Sequence, residues 1–74
     1  IDVGGHTDST GKAESNKTLS ELRAKAVVRY LTGAGVDASK LKATGYGQDR
    51  PVADNGTEAG KRQNRRIEFL VSAP

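Results

Sequence analysis

The chain of 74 residues contains no cysteine, no methionine and no tryptophan, and its aromatic residues are Tyr30, Tyr46 and Phe69 alone. Without cysteine there are no disulfides and no thiolate metal ligands. With so few aromatics, the core must rest on Val, Leu, Ile and Ala, and a chain this short buries only about 60% of the surface its unfolded form exposes. One small domain, spanning residues 1–74, is the expected organisation, and its core is thin. The single histidine, His6, has no second histidine, no cysteine and no serine in a nucleophile context to work with. Neither a catalytic triad nor a metal cage can be assembled, so His6 reads as structural or solvent-facing, and neither enzyme activity nor a cofactor is expected. No run approaches the roughly 18 apolar residues of a membrane span, and Ile1-Asp2-Val3 has none of the features of a signal peptide. The formal charge is +3, yet nine acidic residues are interspersed among twelve basic ones. Arg62, Arg65 and Arg66 cluster without interleaved aromatics and are diluted by Glu58 and Glu68, which argues against a nucleic-acid surface.

Ile1 and Val3 alternate with Asp2, the pattern of a strand tail. Gly4-Gly5 leads into His6-Thr7-Asp8-Ser9-Thr10-Gly11, small polar residues suited to a surface loop before a helix. From about Asn16 to Ala34, the residues Leu19, Leu22, Ala26, Val27, Tyr30, Leu31 and Ala34 recur at three- and four-residue steps. They predict an amphipathic helix burying that stripe and ending at Gly33 to Gly35. Leu41, Ala43 and Gly45 alternate with Lys42, Thr44 and Tyr46 in a short strand, with Gly45-Tyr46-Gly47 read as the turn that follows. A polar connection covers 48–56. Thr57 is placed to cap a two-turn helix with Glu58 in its first turn and Lys61 and Arg62 toward its end. Ile67, Phe69 and Val71 then alternate with Arg66 and Glu68 in a strand with one buried face. The order is strand, helix, strand, short helix, strand, an α/β (α+β) domain with a mixed sheet packed against helices.

Asp8, in the loop, and Arg23, some two turns into the first helix, are spaced so that both can line one rim. A carboxylate and a guanidinium a few ångströms apart suit a zwitterion, because arginine forks onto a carboxylate while aspartate accepts from an ammonium group. An amino-acid-like ligand fits that pair. The same spacing is equally open to Asp8 capping the helix or pairing internally with Arg23.

Gly5-His6-Thr7-Asp8 with Thr10-Gly11, Asn16, Leu19-Ser20 and Arg23-Ala24 resembles the signature of the OmpA-like C-terminal domain of outer-membrane proteins, peptidoglycan-associated lipoprotein and flagellar stator proteins. Gly35-Val36, Leu41, Gly45-Tyr46-Gly47, Pro51, Asn55, Thr57, Gly60 and Asn64-Arg65-Arg66-Ile67-Glu68 continue the resemblance in order along nearly the whole chain. The resemblance implies non-catalytic binding of peptidoglycan through the diaminopimelate of its stem peptide, with Asp8 and Arg23 as principal contacts. It further implies Thr10 and Asn16 as polar lining and Leu19 as an apolar wall. Arg65 matches a basic position near the site, with anchoring of the connection from Gly45 to Asn64 as its other role. The implied location is periplasmic, associated with the outer membrane through a part of the protein outside this chain. Domains of this family begin with another strand and helix before the strand that ends at Gly5. Lacking these, the chain is expected to expose a sheet edge and to form a homodimer by strand pairing or exchange. The alternative function is an assembly module that has lost wall binding along with that segment.

Overall fold

The computed structural model describes residues 1–71. Strand β1 covers Asp2–His6, helix α1 Ala13–Gly33, strand β2 Lys42–Gly47, helix α2 Glu58–Asn64 and strand β3 Ile67–Leu70, with one 3-10 turn at Ala38–Lys40. The sheet order is β2-β1-β3. β1 runs parallel to β2, with a register shift between Gly5 and His6, and antiparallel to β3. The element order and the mixed sheet are those the sequence predicts. Among these residues no helix is long and apolar enough to cross a membrane.

Helix α1 starts at Ala13, one turn before the apolar periodicity begins, and its N-cap, Lys12, makes no side-chain cap. The predicted apolar stripe is not the buried face. Leu22 and Tyr30 are 60% and 77% exposed, whereas Ser20 and Ala24 are fully buried, with Val27, Val28 and Leu31 half-buried beside them. The reason is the seat on which the helix lies. A methyl group at Gly5 would collide with the Ser20 backbone carbonyl, and one at Gly45 with the backbone and side chain of Glu21. Bare backbone in the sheet thus lets α1 lie directly against β1 and β2, and only small helix residues fit in the contact. The Ser20 hydroxyl fixes the docking by donating to the Lys17 carbonyl at 2.8 Å and accepting from the Gly47 N–H at 2.9 Å. Gly45-Tyr46-Gly47 is accordingly part of β2 rather than a turn after it.

α1 packs across β1 and β2. β3 is left uncovered on that side, so Phe69 is 54% exposed, contrary to the buried face expected for this strand, and Val71, expected within it, lies just past its end and is 79% exposed. Among the described residues the fully buried apolar core is confined to Val3 and Ala24. Much of the remaining order comes from polar anchors. Asn64, with no exposed surface, accepts from the N–H groups of Val52 and Ala53 at 2.8 and 3.0 Å and donates to the Ala53 carbonyl and the Asn55 side chain. α2 is capped as predicted, the Thr57 hydroxyl accepting from the Gly60 N–H at 3.0 Å.

Candidate ligand-binding site

The loop joining β1 to α1 leaves the sheet at His6, whose N–H donates to the Arg66 carbonyl, and Thr7, whose N–H donates to the Gly47 carbonyl, both at 2.9 Å. Asp8 follows, only 6% exposed. Its Oδ1 accepts from the Thr10 N–H at 2.8 Å, the two-residue closure typical of an aspartate in a turn. That hydrogen bond is the chief cause of a carboxyl pKa below the usual aspartate value, with the Thr10 hydroxyl adding to it and the positive charges of Arg65 and Lys61 assisting. Asp8 Oδ2 lies 3.3 Å from the Arg65 guanidinium. The site therefore holds an ionised carboxylate under a half-exposed cation.

The loop is held from three directions. From α1, the Asn16 amide donates to the carbonyls of Asp8 and Thr10 at 3.3 and 2.9 Å and to the Gln48 side chain at 2.9 Å. From the connection after β2, Asn55 Oδ1 accepts from the Ser9 N–H at 3.3 Å while it also accepts from Asn64 at 2.8 Å. From the end of α2, Arg65 supplies the ion pair. Gln48 is not singled out from the sequence, and Asn55 and Asn64 enter there only as residues of the family resemblance, without a role.

Of the residues singled out from the sequence, Asp8, Thr10, Asn16 and Arg65 come together here. Asp8 does not cap α1, since the N-cap is Lys12, and its partner is Arg65 instead of Arg23. Among the described residues Arg23 has no hydrogen-bond or ion-pair partner. Asn16, Leu19 and Arg23 stand at positions i, i+3 and i+7 and therefore share one flank of α1, with Arg23 about 10 Å along the axis from Asn16. Leu19 is 40% exposed and also lines a shallow groove with Glu14, Ser15, Thr18 and Leu22. Arg65 does not anchor the connection that follows β2. Arg66 does, donating to the Arg50 carbonyl at 2.9 Å, to the Asn64 carbonyl at 3.1 Å and to Glu68 at 2.6 Å. The three arginines 62, 65 and 66 are thus not one basic patch, because two of them are paired with Asp8 and Glu68.

Beneath the loop, on the sheet face away from α1, His6 stacks on Tyr46 with ring centroids 5.1 Å apart, and the Arg50 guanidinium lies 4.1 Å from the centre of the Tyr46 ring. Tyr46 and Thr44 both donate to Asp2, at 2.9 and 2.8 Å, and these bonds, Thr44's first, hold the Asp2 pKa down. His6 is buried rather than solvent-facing, and neither ring nitrogen has a hydrogen-bond partner. Among the described residues no group of three His, Cys, Asp or Glu side chains is placed to hold a metal ion.

The OmpA family model matches residues 1–65 of this sequence. The chain belongs to the OmpA family. This OmpA-family chain is 51% identical to outer membrane porin F of Pseudomonas fluorescens over 99% of its own length and 22% of that protein. It is 50% identical to the peptidoglycan-associated lipoprotein of Pseudomonas aeruginosa over 88% of its length and 39% of the relative. It therefore spans well under half of either relative. The crystal structure of the peptidoglycan-associated lipoprotein from Burkholderia pseudomallei superposes with a TM-score of 0.88 at 40% identity, covering 92% of this chain and 58% of that one. The fold is that of the peptidoglycan-associated lipoproteins.

Proposed function

We propose that this OmpA-family chain binds peptidoglycan without altering it, through the diaminopimelate of the stem peptide, and so tethers a cell-envelope protein to the wall in the periplasm. The observation that carries the reading is Asp8, a nearly buried carboxylate kept ionised by the Thr10 N–H in a loop braced from three sides. Such a group is preorganised to accept an ammonium. Arg23, without a partner among the described residues, takes the carboxylate on the same carbon, while Thr10 and Asn16 supply polar lining, Leu19 an apolar wall and Arg65 a neighbouring positive charge. The peptidoglycan-associated lipoproteins among its relatives support peptidoglycan as the ligand.

Each charge-assisted contact contributes about 1.5–3 kcal/mol, which places the expected affinity in roughly the micromolar to millimolar range once association costs are subtracted. Calorimetric titration with a diaminopimelate-containing muropeptide tests this. Saturable binding that Asp8→Ala and Arg23→Ala each weaken by about tenfold or more is the expected result. Unchanged affinity in both variants rules the assignment out, and consumption of the muropeptide would point to an enzyme instead.

A second feature favours self-association. Among the described residues β3 lies at an edge of the sheet, and its apolar side chains Phe69 and Leu70 are exposed, as are Leu22 and Tyr30 of α1. An unpaired edge of this kind recruits another strand.

A further inference from the structure

We propose that Arg65 is an internal stand-in for the ligand's ammonium group, a counter-ion that occupies Asp8 in the ligand-free protein and must leave for the ligand to bind. This deepens the reading of the Asp8 site given above and rests on it.

The contrast between Arg65 and its neighbours carries the argument. Arg66 is held by three hydrogen bonds, to Glu68, Asn64 and Arg50, and its side chain is only 18% exposed. Arg65 touches one partner through one nitrogen, at 3.3 Å, with its side chain 44% exposed. Its backbone is nonetheless fixed, because its N–H donates to the Lys61 carbonyl and it lies between the buried Asn64 and the anchored Arg66. Arg65 is thus a lightly held side chain on a rigid mount, able to leave Asp8 by a rotamer change alone. The other nearby cation, Lys61, is engaged by Glu58 at 3.7 Å.

The carboxylate explains why such a stand-in is needed. Asp8 Oδ1 accepts from the Thr10 N–H, and the cation paired with Oδ2 is Arg65. A nearly buried carboxylate is costly to leave without a cation. Arg65 supplies one until a ligand brings its own, and a ligand lacking a free ammonium cannot take its place. Arg23, by contrast, has no partner among the described residues, so the carboxylate half of a zwitterion has none of them to displace. The outcome is a site that demands an amine more stringently than it demands an acid.

The test compares wild type with Arg65→Gln and Arg65→Lys in three measurements. In the ligand-free proteins, a carbon-detected NMR titration of the Asp8 carboxyl should give a higher pKa in Arg65→Gln than in wild type and a near wild-type value in Arg65→Lys. An unchanged value in Arg65→Gln overturns the proposal whatever the protein binds. In calorimetry with meso-diaminopimelate, Arg65→Gln should bind roughly two- to fivefold more tightly than wild type, the range expected from releasing a partly exposed ion pair. Equal or weaker binding overturns the proposal, since it would make Arg65 a bystander or a ligand contact. In wild type, saturation with ligand should return the Arg65 guanidinium resonances to solvent-exposed values, a readout that requires no substitution to be tolerated. If meso-diaminopimelate binds none of the proteins, the peptidoglycan reading has failed separately. Titration with n-butylammonium chloride, followed at the Thr10 amide, then decides the exchange: a larger shift in Arg65→Gln than in wild type sustains it, and an equal one overturns it.

Discussion

His6 sits two residues before Asp8, shut away from water with both ring nitrogens unbonded, between Tyr46 and the charged pair Arg66 and Glu68. Its Nε2 is 3.4 Å from a Glu68 oxygen, close enough to favour protonation, yet burial and then the positive charge of Arg66 outweigh that attraction and hold its pKa below the ordinary histidine value. The unfolded chain therefore takes up this proton at about pH 6.5 and the folded chain only at lower pH. The stability that His6 contributes is complete above that pH and is lost as pH falls toward the folded pKa. Denaturant melts between pH 7.5 and pH 5 should show this loss. His6→Phe, which keeps the stack on Tyr46 and removes the titration, should flatten the profile across the same interval. Asp2, Asp8, Asp37 and Glu68, all with lowered pKa values, stabilise the fold throughout this interval, and their contribution is lost only in more acid solution, as pH falls from the unfolded toward the folded pKa values. The burial of His6 could not be read from the sequence, because a lone histidine beside two glycines gives no sign of the stacking tyrosine 40 residues further along.

The helices and strands were legible from periodicity and capping signals, and the face that α1 buries was not. Hydrophobic patterning looks for bulk, whereas this interface works by absence of bulk: Gly5 and Gly45 in the sheet, Ser20 and Ala24 on the helix. A direct consequence can be measured at one carbon atom. Gly5→Ala places a methyl group against the Ser20 carbonyl and should cost roughly 2–4 kcal/mol in equilibrium unfolding as α1 lifts from the sheet. Gly33→Ala, in the last position of α1 with open space where the methyl would go, should instead be neutral or stabilising by up to about 1 kcal/mol. If both substitutions behave alike, close helix-to-sheet approach is not what holds α1 in place. The binding loop has the same character. Asp8, Thr10 and Asn16 are local enough for spacing to bring them near one another, but the tie from Asp8 to Arg65 crosses nearly the whole chain, and only the family resemblance pointed to it.

Across the described residues, β2 and β3 stand at the edges of the sheet and apolar side chains of α1 and β3 face outward, with Val3 and Ala24 as the fully buried apolar residues. Sedimentation equilibrium at tens of micromolar should therefore give a mass above that of the 7.8 kDa monomer, and Phe69→Lys should restore the monomer. A monomeric mass for the unaltered chain at that concentration would refute strand-mediated association. The central position of β1 has a further bearing, on the order in which the domain is made. Its partners begin at Lys42 on one side and Ile67 on the other, and the cation on Asp8 comes from residue 65. During synthesis the first strand of this segment emerges well before either strand that it pairs with. Contacts this distant are slow to close. The ion pair between Asp8 and Arg65 can form only once residue 65 has been made, so its appearance reports that the two ends of the segment have come together.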